Sequence, residues 1–281
     1  MRFLADKGDS NCRVYGGIME KKTAIVTGGS SGIGLCTARD LVKEGYTVFD
    51  LSRHGTDRDG ILHIDCDVTD ENAVKEAVDR IVSGQGRIDA VVNCAGFGIS
   101  GAIECTSPEA AKKQFDVNFF GMVNVNRCCI PEIRKTQGTI VNISSVAACA
   151  PIPFQAFYSA SKAAINSYSL CLANELRPYG VKIVSVMPGD TATGFTDARE
   201  KESSGDDIYA GRISRSVQKM ESDERGGMSP ERAGAFITSV VTGKSRKPLR
   251  TIGLQYKLAV FLLKILPASL SNRLLGFIYA S

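Results

Sequence analysis

The chain has 281 residues, of which 43% are hydrophobic and 23% charged, so it can bury the core of one sizeable α/β domain. Its formal net charge of +4 is small and its basic residues are dispersed among acidic ones, which argues against a nucleic-acid partner. The nine scattered cysteines are typical of a reduced, cytoplasmic protein, and the two histidines make a metal site or a Ser-His-Asp triad unexpected.

Residues 1–18 lack the apolar core of a signal peptide and show neither helical nor strand periodicity. We expect them to form a disordered extension ahead of a single domain over residues 19–281. No window reaches the roughly 18 consecutive apolar residues that a transmembrane helix needs. The sequence therefore predicts no transmembrane segment.

Short apolar runs rich in β-branched residues alternate with helical patterns along the rest of the chain. The predicted strands are 23–26, 47–51, 61–64, 90–92, 139–143, 182–186 and 249–252. The predicted helices are 34–44, 70–82, 108–135, 157–179 and 230–241. Near-continuous apolar strands separated by helices indicate a doubly wound α/β domain, in which ligands bind beyond the carboxyl ends of the strands.

A glycine-rich turn, TGGSSGIG at 27–34, follows the first strand and leads into a helix. Glycines permit the tight turn, the close approach of a pyrophosphate and the packing of helix on strand, while the helix N-terminus favours anions. A purely structural connection is the alternative interpretation. The predicted dinucleotide-binding residues of this turn are Gly28, Ser30, Ser31, Gly32, Ile33 and Gly34.

The end of the second strand carries no carboxylate where an NAD-selective site would place one, but Ser52 followed by Arg53. The Arg53 guanidinium can pair with the 2′-phosphate of NADP while Ser52 adds a hydroxyl donor. We therefore predict NADP(H) as the cofactor. In the alternative, Arg53 is solvated and Asp50 binds the ribose.

The next two strand ends supply acidic or small residues. Asp67 and Val68 follow the third strand, and Asp67 is a candidate adenine contact, although it could also serve as a helix cap. NCAG at 93–96 follows the fourth strand with small residues that let the backbone pass close to a cofactor. The predicted contacts in that run are Asn93, Ala95 and Gly96.

Ser145 lies just after the fifth strand, and thirteen residues later YSASK contains Tyr158 and Lys162. The (i, i+4) spacing puts the phenol and the ammonium on one helical face, where the positive charge should lower a tyrosine pKa of about 10. Such a tyrosine can act as acid or base. A solvated helix surface is the alternative for an isolated pair, but the preceding serine and dinucleotide turn favour catalysis.

The ordered motifs TGGSSGIG, NCAG, DVNFFG, Ser145, YSASK and Pro188-Gly189 resemble the short-chain dehydrogenase/reductase superfamily, densely over residues 21–195. The resemblance implies a Rossmann domain with a seven-stranded parallel sheet. It implies hydride transfer between a nicotinamide and a carbonyl or secondary alcohol, with Ser145 binding the substrate oxygen and Tyr158 donating the proton. It adds Asn118 to the catalytic residues. The further cofactor contacts that it implies are Tyr158, Lys162, Pro188, Gly189, Thr191 and Thr193.

The surrounding segments resemble hydroxysteroid and retinol-type dehydrogenases, so we expect a lipophilic small-molecule substrate of steroid-like or similar size. Val146, Phe154 and Phe195 are candidate pocket residues, although each could belong to the ordinary core. Asp190 departs from the apolar residue that many members carry after Pro-Gly. A 3-oxoacyl-type reductase, a general carbonyl reductase and a non-catalytic NADP-binding regulator are the alternatives.

Two segments near the C-terminus are expected to shape the substrate site. Residues 191–228 are rich in glycine, serine and charge, which predicts a mobile substrate lid or else an inert insert. Residues 254–281 hold two apolar stretches divided by Pro267, which predict a helical extension. We expect this extension to cover the pocket or to form the contact of a homodimer or homotetramer, with peripheral membrane contact as the alternative.

Overall fold

The structure is a computed structural model that describes residues 12–15 and 18–280. Its strands are β1 (Cys12–Tyr15), β2 (Ile18–Lys21), β3 (Thr23–Thr27), β4 (Thr47–Ser52), β5 (Ile61–Asp65), β6 (Ala90–Asn93), β7 (Ile99–Ser100), β8 (Thr139–Ile143), β9 (Lys182–Met187), β10 (Glu200–Lys201) and β11 (Leu249–Thr251). Its α-helices are α1 (Gly32–Lys43), α2 (Glu71–Gln85), α3 (Pro108–Phe115), α4 (Gly121–Thr136), α5 (Ala156–Glu175), α6 (Arg212–Arg225), α7 (Pro230–Thr242), α8 (Leu254–Ile265) and α9 (Ala268–Tyr279).

Seven strands form one parallel sheet in the order β11-β9-β8-β6-β3-β4-β5, which confirms the predicted doubly wound fold. Both faces of the sheet are buried, because alternate side chains of one strand enter different cores. Ile25 packs into a core with α2, α4 and α5, whereas Ala24 and Val26 pack into a core with α1 and α7. The carboxyl ends of all seven strands therefore share one edge, where the turns that follow them meet.

The N-terminal segment differs in part from the expectation of disorder over 1–18. Residues 1–11, 16 and 17 lie outside the described residues. β1 and β2 pair antiparallel, with Cys12 opposite Lys21 and Tyr15 opposite Ile18. Four-residue strands are too short to give a clear periodic signal, so their pairing could not be read from the local pattern.

The predicted helix 108–135 is interrupted by one π-helical turn, Asp116–Phe120, between α3 and α4. Asn118 lies in this turn and is fully buried. Single π turns inside helices re-aim side chains and are frequent at functional sites. Here the turn directs the Asn118 carboxamide towards the edge of the sheet that carries the cavity described below.

A buried amide network ties the sheet to the helices on one face. The Asn142 Oδ1 accepts hydrogen bonds from Asn93 Nδ2 at 2.9 Å and from Asn126 Nδ2 at 3.3 Å. The Asn142 Nδ2 donates to Ser169 Oγ at 2.9 Å, and Asn93 Nδ2 also reaches Asn126 Oδ1 at 2.8 Å. The network connects β6, β8, α4 and α5 through groups that are otherwise costly to bury.

On the other face, a buried lysine closes the end of α7. The Lys182 Nζ donates to the carbonyl oxygens of Val240 at 2.7 Å, Val241 at 3.1 Å and Gly243 at 2.6 Å. These carbonyls have no partner within a helix that ends there, and a cation beside them also meets the negative end of the helix dipole. β9 is thereby fixed to α7.

The segment 191–228 is more regular than the sequence suggested. β10 pairs in parallel with the short strand β7, and α6 occupies 14 residues. Three apolar residues of α6, Ile213, Val217 and Met220, pack with Ala102 in a small third core. Because the rest of α6 is strongly polar, this (i, i+4, i+7) stripe gave only a weak helical signal.

The C-terminal extension forms α8 and α9, as predicted, with Leu266 and Pro267 between them. Among the described residues, no helix is both long enough and apolar enough to cross a membrane.

Candidate active site

A cavity of about 800 Å³ opens at the carboxyl edge of the sheet and extends beneath α8 and α9. It brings together most residues that the sequence singled out. The predicted residues that line it are Gly28, Ser30, Ser31, Gly32, Ile33, Gly34, Ser52, Arg53, Asp67, Val68, Ala95, Gly96, Ser145, Val146, Tyr158, Lys162, Pro188, Gly189, Thr191, Thr193 and Phe195. Asn93, Asn118 and Phe154 do not line it.

Two of these three residues face other parts of the molecule. Asn93 is the last residue of β6 and directs its amide into the buried network with Asn126 and Asn142. Phe154 has a left-handed backbone with φ of +59°, and its ring packs edge-on against Tyr209 at 5.5 Å between centroids. Their side chains therefore face away from this cavity, so a cofactor contact of Asn93 would have to be made by its backbone, and the expected pocket contact of Phe154 is not seen.

The glycine-rich turn has the close backbone packing that a phosphate cradle requires. Gly28 has φ of +63°, and a Cβ there would lie 3.1 Å from the Ala95 backbone. A Cβ at Gly34 would lie 2.2 Å from the carbonyl oxygen of Gly28, which no side chain could tolerate. The turn consequently presents backbone and the N-terminus of α1 to the cavity, which fits a dinucleotide pyrophosphate.

The carboxylate of Asp50 already has protein partners. It accepts hydrogen bonds from the Gly29 N–H at 2.6 Å and from Ser52 Oγ at 2.9 Å, and His63 Nδ1 lies 3.0 Å from it. Burial opposes protonation of His63, but its hydrogen bonds to Asp65 and Asp50 outweigh that effect and raise its pKa. Asp50 thus serves to hold the glycine-rich turn on β4 and β5.

Two guanidinium groups lie near this end of the cavity. Arg53 is exposed and lines the cavity. Arg58 is partly buried, and its guanidinium donates to the carbonyl oxygen of Ser30. Sequence reasoning missed Arg58, because nothing in the irregular β4–β5 connection indicates that it folds back over the turn. Two guanidinium groups are therefore available to an anionic ligand at this end of the cavity.

Tyr158 and Ser145 both line the cavity, and the Ser145 hydroxyl is near enough to the phenol to influence its pKa. Burial raises the pKa of Tyr158 to about 12, although the Ser145 hydroxyl opposes the rise. The expected lowering by Lys162 is therefore not observed, because the ammonium lies 5.6 Å from the centre of the phenol ring and donates to the Ile143 carbonyl at 2.9 Å. Burial lowers the pKa of Lys162 itself to about 8.

Asn118 lies next to this group without lining the cavity. Its Oδ1 accepts from the Phe97 N–H at 2.9 Å, and its Nδ2 donates to the Phe97 carbonyl at 3.0 Å and to Ser161 Oγ at 3.2 Å. A Cβ at Gly96 would lie 3.0 Å from Asn118 Oδ1 and 3.6 Å from Lys162 Nζ. Asn118 and Lys162 therefore flank one glycine of the turn after β6.

Beyond Tyr158 the cavity becomes largely apolar but retains two carboxylates. Its apolar lining includes Val146, Ile152, Phe195, Leu263, Leu266 and Leu275. Glu224 accepts from Thr196 at 2.7 Å and is paired with the buried Arg199. Asp190 accepts from the Tyr256 hydroxyl at 2.8 Å, and burial raises the pKa of its carboxyl. Within the described part of the chain Asp190 forms no ion pair, and the side-chain partner of its carboxylate is the hydroxyl of Tyr256.

No cluster of three or more His, Cys, Asp or Glu side chains arranged to hold a metal ion occurs within residues 12–15 and 18–280. A hydroxyl, a phenol and an ammonium beside a dinucleotide cradle are groups that transfer protons and orient a ligand. The arrangement thus supports chemistry in which an organic cofactor carries the electrons.

Comparison with known proteins identifies the family. The family model for short chain dehydrogenases matches residues 22–204. The 3-ketodihydrosphingosine reductase of Bacteroides thetaiotaomicron is 41% identical over 237 residues, covering 83% of this chain and 88% of the relative. A short-chain dehydrogenase from Streptomyces avermitilis has a similar structure, with a TM-score of 0.79, 26% identity and coverage of 90% and 95% of the two chains.

The structure of ElxO with NADP bound is also similar, with a TM-score of 0.70, 25% identity and coverage of 85% of this chain and 99% of that one. The matched region contains the glycine-rich turn, the serine after β8 and the Tyr158/Lys162 pair. This chain is therefore a member of the short-chain dehydrogenase family, an oxidoreductase that interconverts a hydroxyl and a carbonyl group with a nicotinamide cofactor.

Proposed function

We propose that this enzyme uses NADPH to reduce a lipophilic, long-chain ketone that carries an amino group beside the carbonyl, as 3-ketodihydrosphingosine does. One observation supports the proposal most: a single cavity joins the glycine-rich turn, Tyr158, an apolar channel and the Asp190 carboxylate, which has no ion-pair partner among the described residues. The relative from Bacteroides thetaiotaomicron, named for that ketone, supports the same substrate class. A steroid ketone would fill the apolar channel but would leave Asp190 without a cationic partner.

The preference for NADP(H) is supported by charge at the adenosine end. Arg53 and Arg58 can pair with a 2′-phosphate, and the Asp50 carboxylate, which would repel it, is held against Gly29 and His63. NADP in the similar ElxO structure agrees with this choice. The glycine-rich turn would hold the pyrophosphate, and Lys162 would hold the nicotinamide ribose.

When bound, the cofactor supplies the hydride. Ser145 and Tyr158 bind the substrate oxygen, and Tyr158 donates its proton to that oxygen as the carbonyl becomes a hydroxyl. Because burial holds the pKa of Tyr158 near 12, the phenol is protonated at neutral pH and ready to act as the acid. Phe195 packs against the Tyr158 ring at 5.6 Å and helps to exclude water from the proton transfer.

Asn118 and Lys162 keep the proton donor in place. Asn118 fixes the Phe97 backbone on one side and Ser161 on the other, and Ser161 bonds back to the carbonyl of Tyr158 at 2.8 Å. Lys162 anchors the helix to the end of β8 through Ile143. Both groups therefore orient α5 relative to the turn after β6.

The segment 191–228 contributes Thr193, Phe195 and Glu224 to the cavity lining. These contacts support its role as a substrate lid, because a movement of the segment would open the channel beside Tyr158.

The experiment is a comparison of substrates by the decrease in NADPH absorbance. The set contains 3-ketodihydrosphingosine, a neutral ketone of equal chain length and a steroid ketone, each with NADPH and with NADH. We expect kcat/KM to be highest for 3-ketodihydrosphingosine with NADPH among all these combinations of substrate and cofactor. Turnover confined to small polar carbonyls, or equal rates with the two cofactors, would contradict it.

A further inference from the structure

Helices α8 and α9 each present an apolar stripe to the surface of the molecule. The exposed residues of α8 recur at i, i+4, i+7, i+8 and i+11, and those of α9 at i, i+4, i+7 and i+8. This spacing keeps each set on one helical face. The stripe residues, between 42% and 82% exposed, are Leu254, Leu258, Phe261, Leu262, Ile265, Leu270, Leu274, Phe277 and Ile278.

These two stripes, called here the α8–α9 face, hold nine of the fifteen exposed large hydrophobic residues among those described. Packing in the core does not explain them, because each helix also has a separate inward side, represented by Val260 in α8 and Leu275 in α9. Exposed apolar side chains in this number mark an interaction surface, and both stripes border the same cavity through Leu262, Leu274 and Ile278.

The charged side chains that α8 and α9 themselves carry are all basic. Residues 232–281 contain eight lysines and arginines and no aspartate or glutamate. Lys257 and Lys264 lie one heptad apart along one edge of the α8 stripe, and Arg273 has the corresponding position beside the α9 stripe. All three are exposed. Apolar stripes bordered by basic side chains favour the boundary between acyl chains and anionic headgroups.

We propose that the α8–α9 face docks on an anionic lipid surface. A second copy of the chain is a poorer occupant, because a two-fold contact would bring identical, uniformly positive edges together without an acidic partner within 232–281. Each helix has only 12 residues, so the two would lie in the interface plane.

The cavity opens on this same face. Leu262, Leu274 and Ile278 belong to the exposed stripes and also line the cavity, while Leu266, at the turn between the helices, lines it too. A lipid-like molecule could therefore pass from the bilayer into the cavity without crossing water. This second step rests on the proposed function, whereas the docking itself does not.

The test is co-sedimentation of the full chain with vesicles of phosphatidylcholine alone and with about 30% phosphatidylglycerol, at low and high salt. We compare the wild type with Phe261→Asp/Phe277→Asp, which places charges at the centre of the face without altering cavity residues. The matched control is Tyr179→Asp, since Tyr179 is 51% exposed but precedes β9 at the opposite end of the sheet. A third variant, Lys257→Gln/Lys264→Gln/Arg273→Gln, removes the basic edge.

We expect salt-sensitive binding to the anionic vesicles, at least about tenfold weaker in the double aspartate variant and unchanged in Tyr179→Asp. The triple glutamine variant should lose roughly fivefold for each charge removed near the surface. Unchanged NADPH binding and turnover of a water-soluble ketone would verify that each variant is folded.

Wild-type protein that stays in the supernatant, or sediments equally with and without the anionic lipid, would overturn the proposal. So would a dimer that the double aspartate variant dissociates in the absence of vesicle binding, because a second copy would then cover the face. Vesicle binding without turnover of 3-ketodihydrosphingosine would reject the proposed substrate while leaving the docking supported.

Discussion

Replacement of Asp190 by asparagine tests the feature that most separates an amino ketone from other lipophilic substrates. The change keeps the size of the side chain and an oxygen that can accept from the Tyr256 hydroxyl, now 2.8 Å away. It removes only the negative charge. We expect the variant to fold normally and to bind NADPH with little change, because the substitution keeps the size of the side chain between the predicted cofactor contacts Gly189 and Thr191.

The size of the effect follows from the position of the carboxylate. Asp190 is partly buried and makes no ion pair among the described residues, so the substrate ammonium would be its cationic partner. A hydrogen bond to a charged group contributes about 1.5–3 kcal/mol, or roughly 10- to 150-fold in kcat/KM. Because the site is partly exposed to solvent, the lower half of that range is expected.

The assay measures kcat/KM for 3-ketodihydrosphingosine and for the neutral ketone of equal chain length, in both proteins. Burial raises the pKa of Asp190, so the carboxylate is lost as the pH falls through that raised value. The wild type should lose its preference for the amino ketone towards acid pH, whereas the asparagine variant should have no preference to lose. An equal decrease for both substrates would refute the reasoning, because it would indicate a structural role for Asp190.

Three further changes test other parts of the molecule. Tyr158→Phe should leave NADPH binding nearly intact and lower turnover by about 10²- to 10⁴-fold, because it removes the proton donor; near-normal turnover in a steady-state assay would exclude that role. The wild type should bind NADPH at least about tenfold, or 1.4 kcal/mol, more tightly than NADH. Fluorescence titration should show that Arg53→Ala loses most of this difference in affinity. Equal affinities of the wild type for the two cofactors would contradict the predicted role of Arg53. Burial lowers the pKa of Lys182 to about 8. Between pH 8 and the ordinary lysine pKa of 10.5, the unfolded chain therefore binds more protons at this residue than the folded chain does. As the pH rises over this interval, the free energy of unfolding of the wild type, measured in urea, should increase relative to that of Lys182→Met by up to about 1.4 kcal/mol per pH unit. A difference that does not change with pH would contradict the lowered pKa.

The sheet could be predicted from the sequence because its strands are buried on both faces. A strand such as β3 must be apolar at Ala24, Ile25 and Val26 alike, since neighbouring residues enter different cores. That produces continuous apolar runs which no amphipathic helix imitates. The order of the motifs along those runs then identified the cavity edge and the Tyr158/Ser145 pair.

What the sequence missed depends on interactions between distant segments. The π turn that buries Asn118, the inward amide of Asn93 and the left-handed backbone of Phe154 are set by tertiary contacts, and none has a local pattern. Arg58 reaches Ser30 only after β4 and β5 have paired. The pKa of Tyr158 followed burial instead of the charge of Lys162, because helical spacing places two side chains on one face without fixing where their end groups point.

The sequence also could not predict that the apolar stripes of α8 and α9 face outward. An apolar helix face reads the same whether it packs on the core or faces outward. The pattern at 254–281 therefore favoured a pocket cover or a subunit contact. The proposed lipid surface rests on the exposure of side chains such as Phe261 and Phe277 together with the basic residues beside them.

The amide network around Asn142 has a consequence for how the chain finds its strand pairing. A slip of β8 by one residue would turn Asn142 towards the opposite core, where it would lose its partners Asn93, Asn126 and Ser169. Each buried amide left unpaired costs about 1–3 kcal/mol, so the slipped arrangement would be penalised several times over. Apolar runs alone would tolerate such shifts, because valine and isoleucine fit either face. The asparagines therefore specify the register of β8 in the sheet. The register that they favour is the one that brings Ser145 and Tyr158 to the same edge.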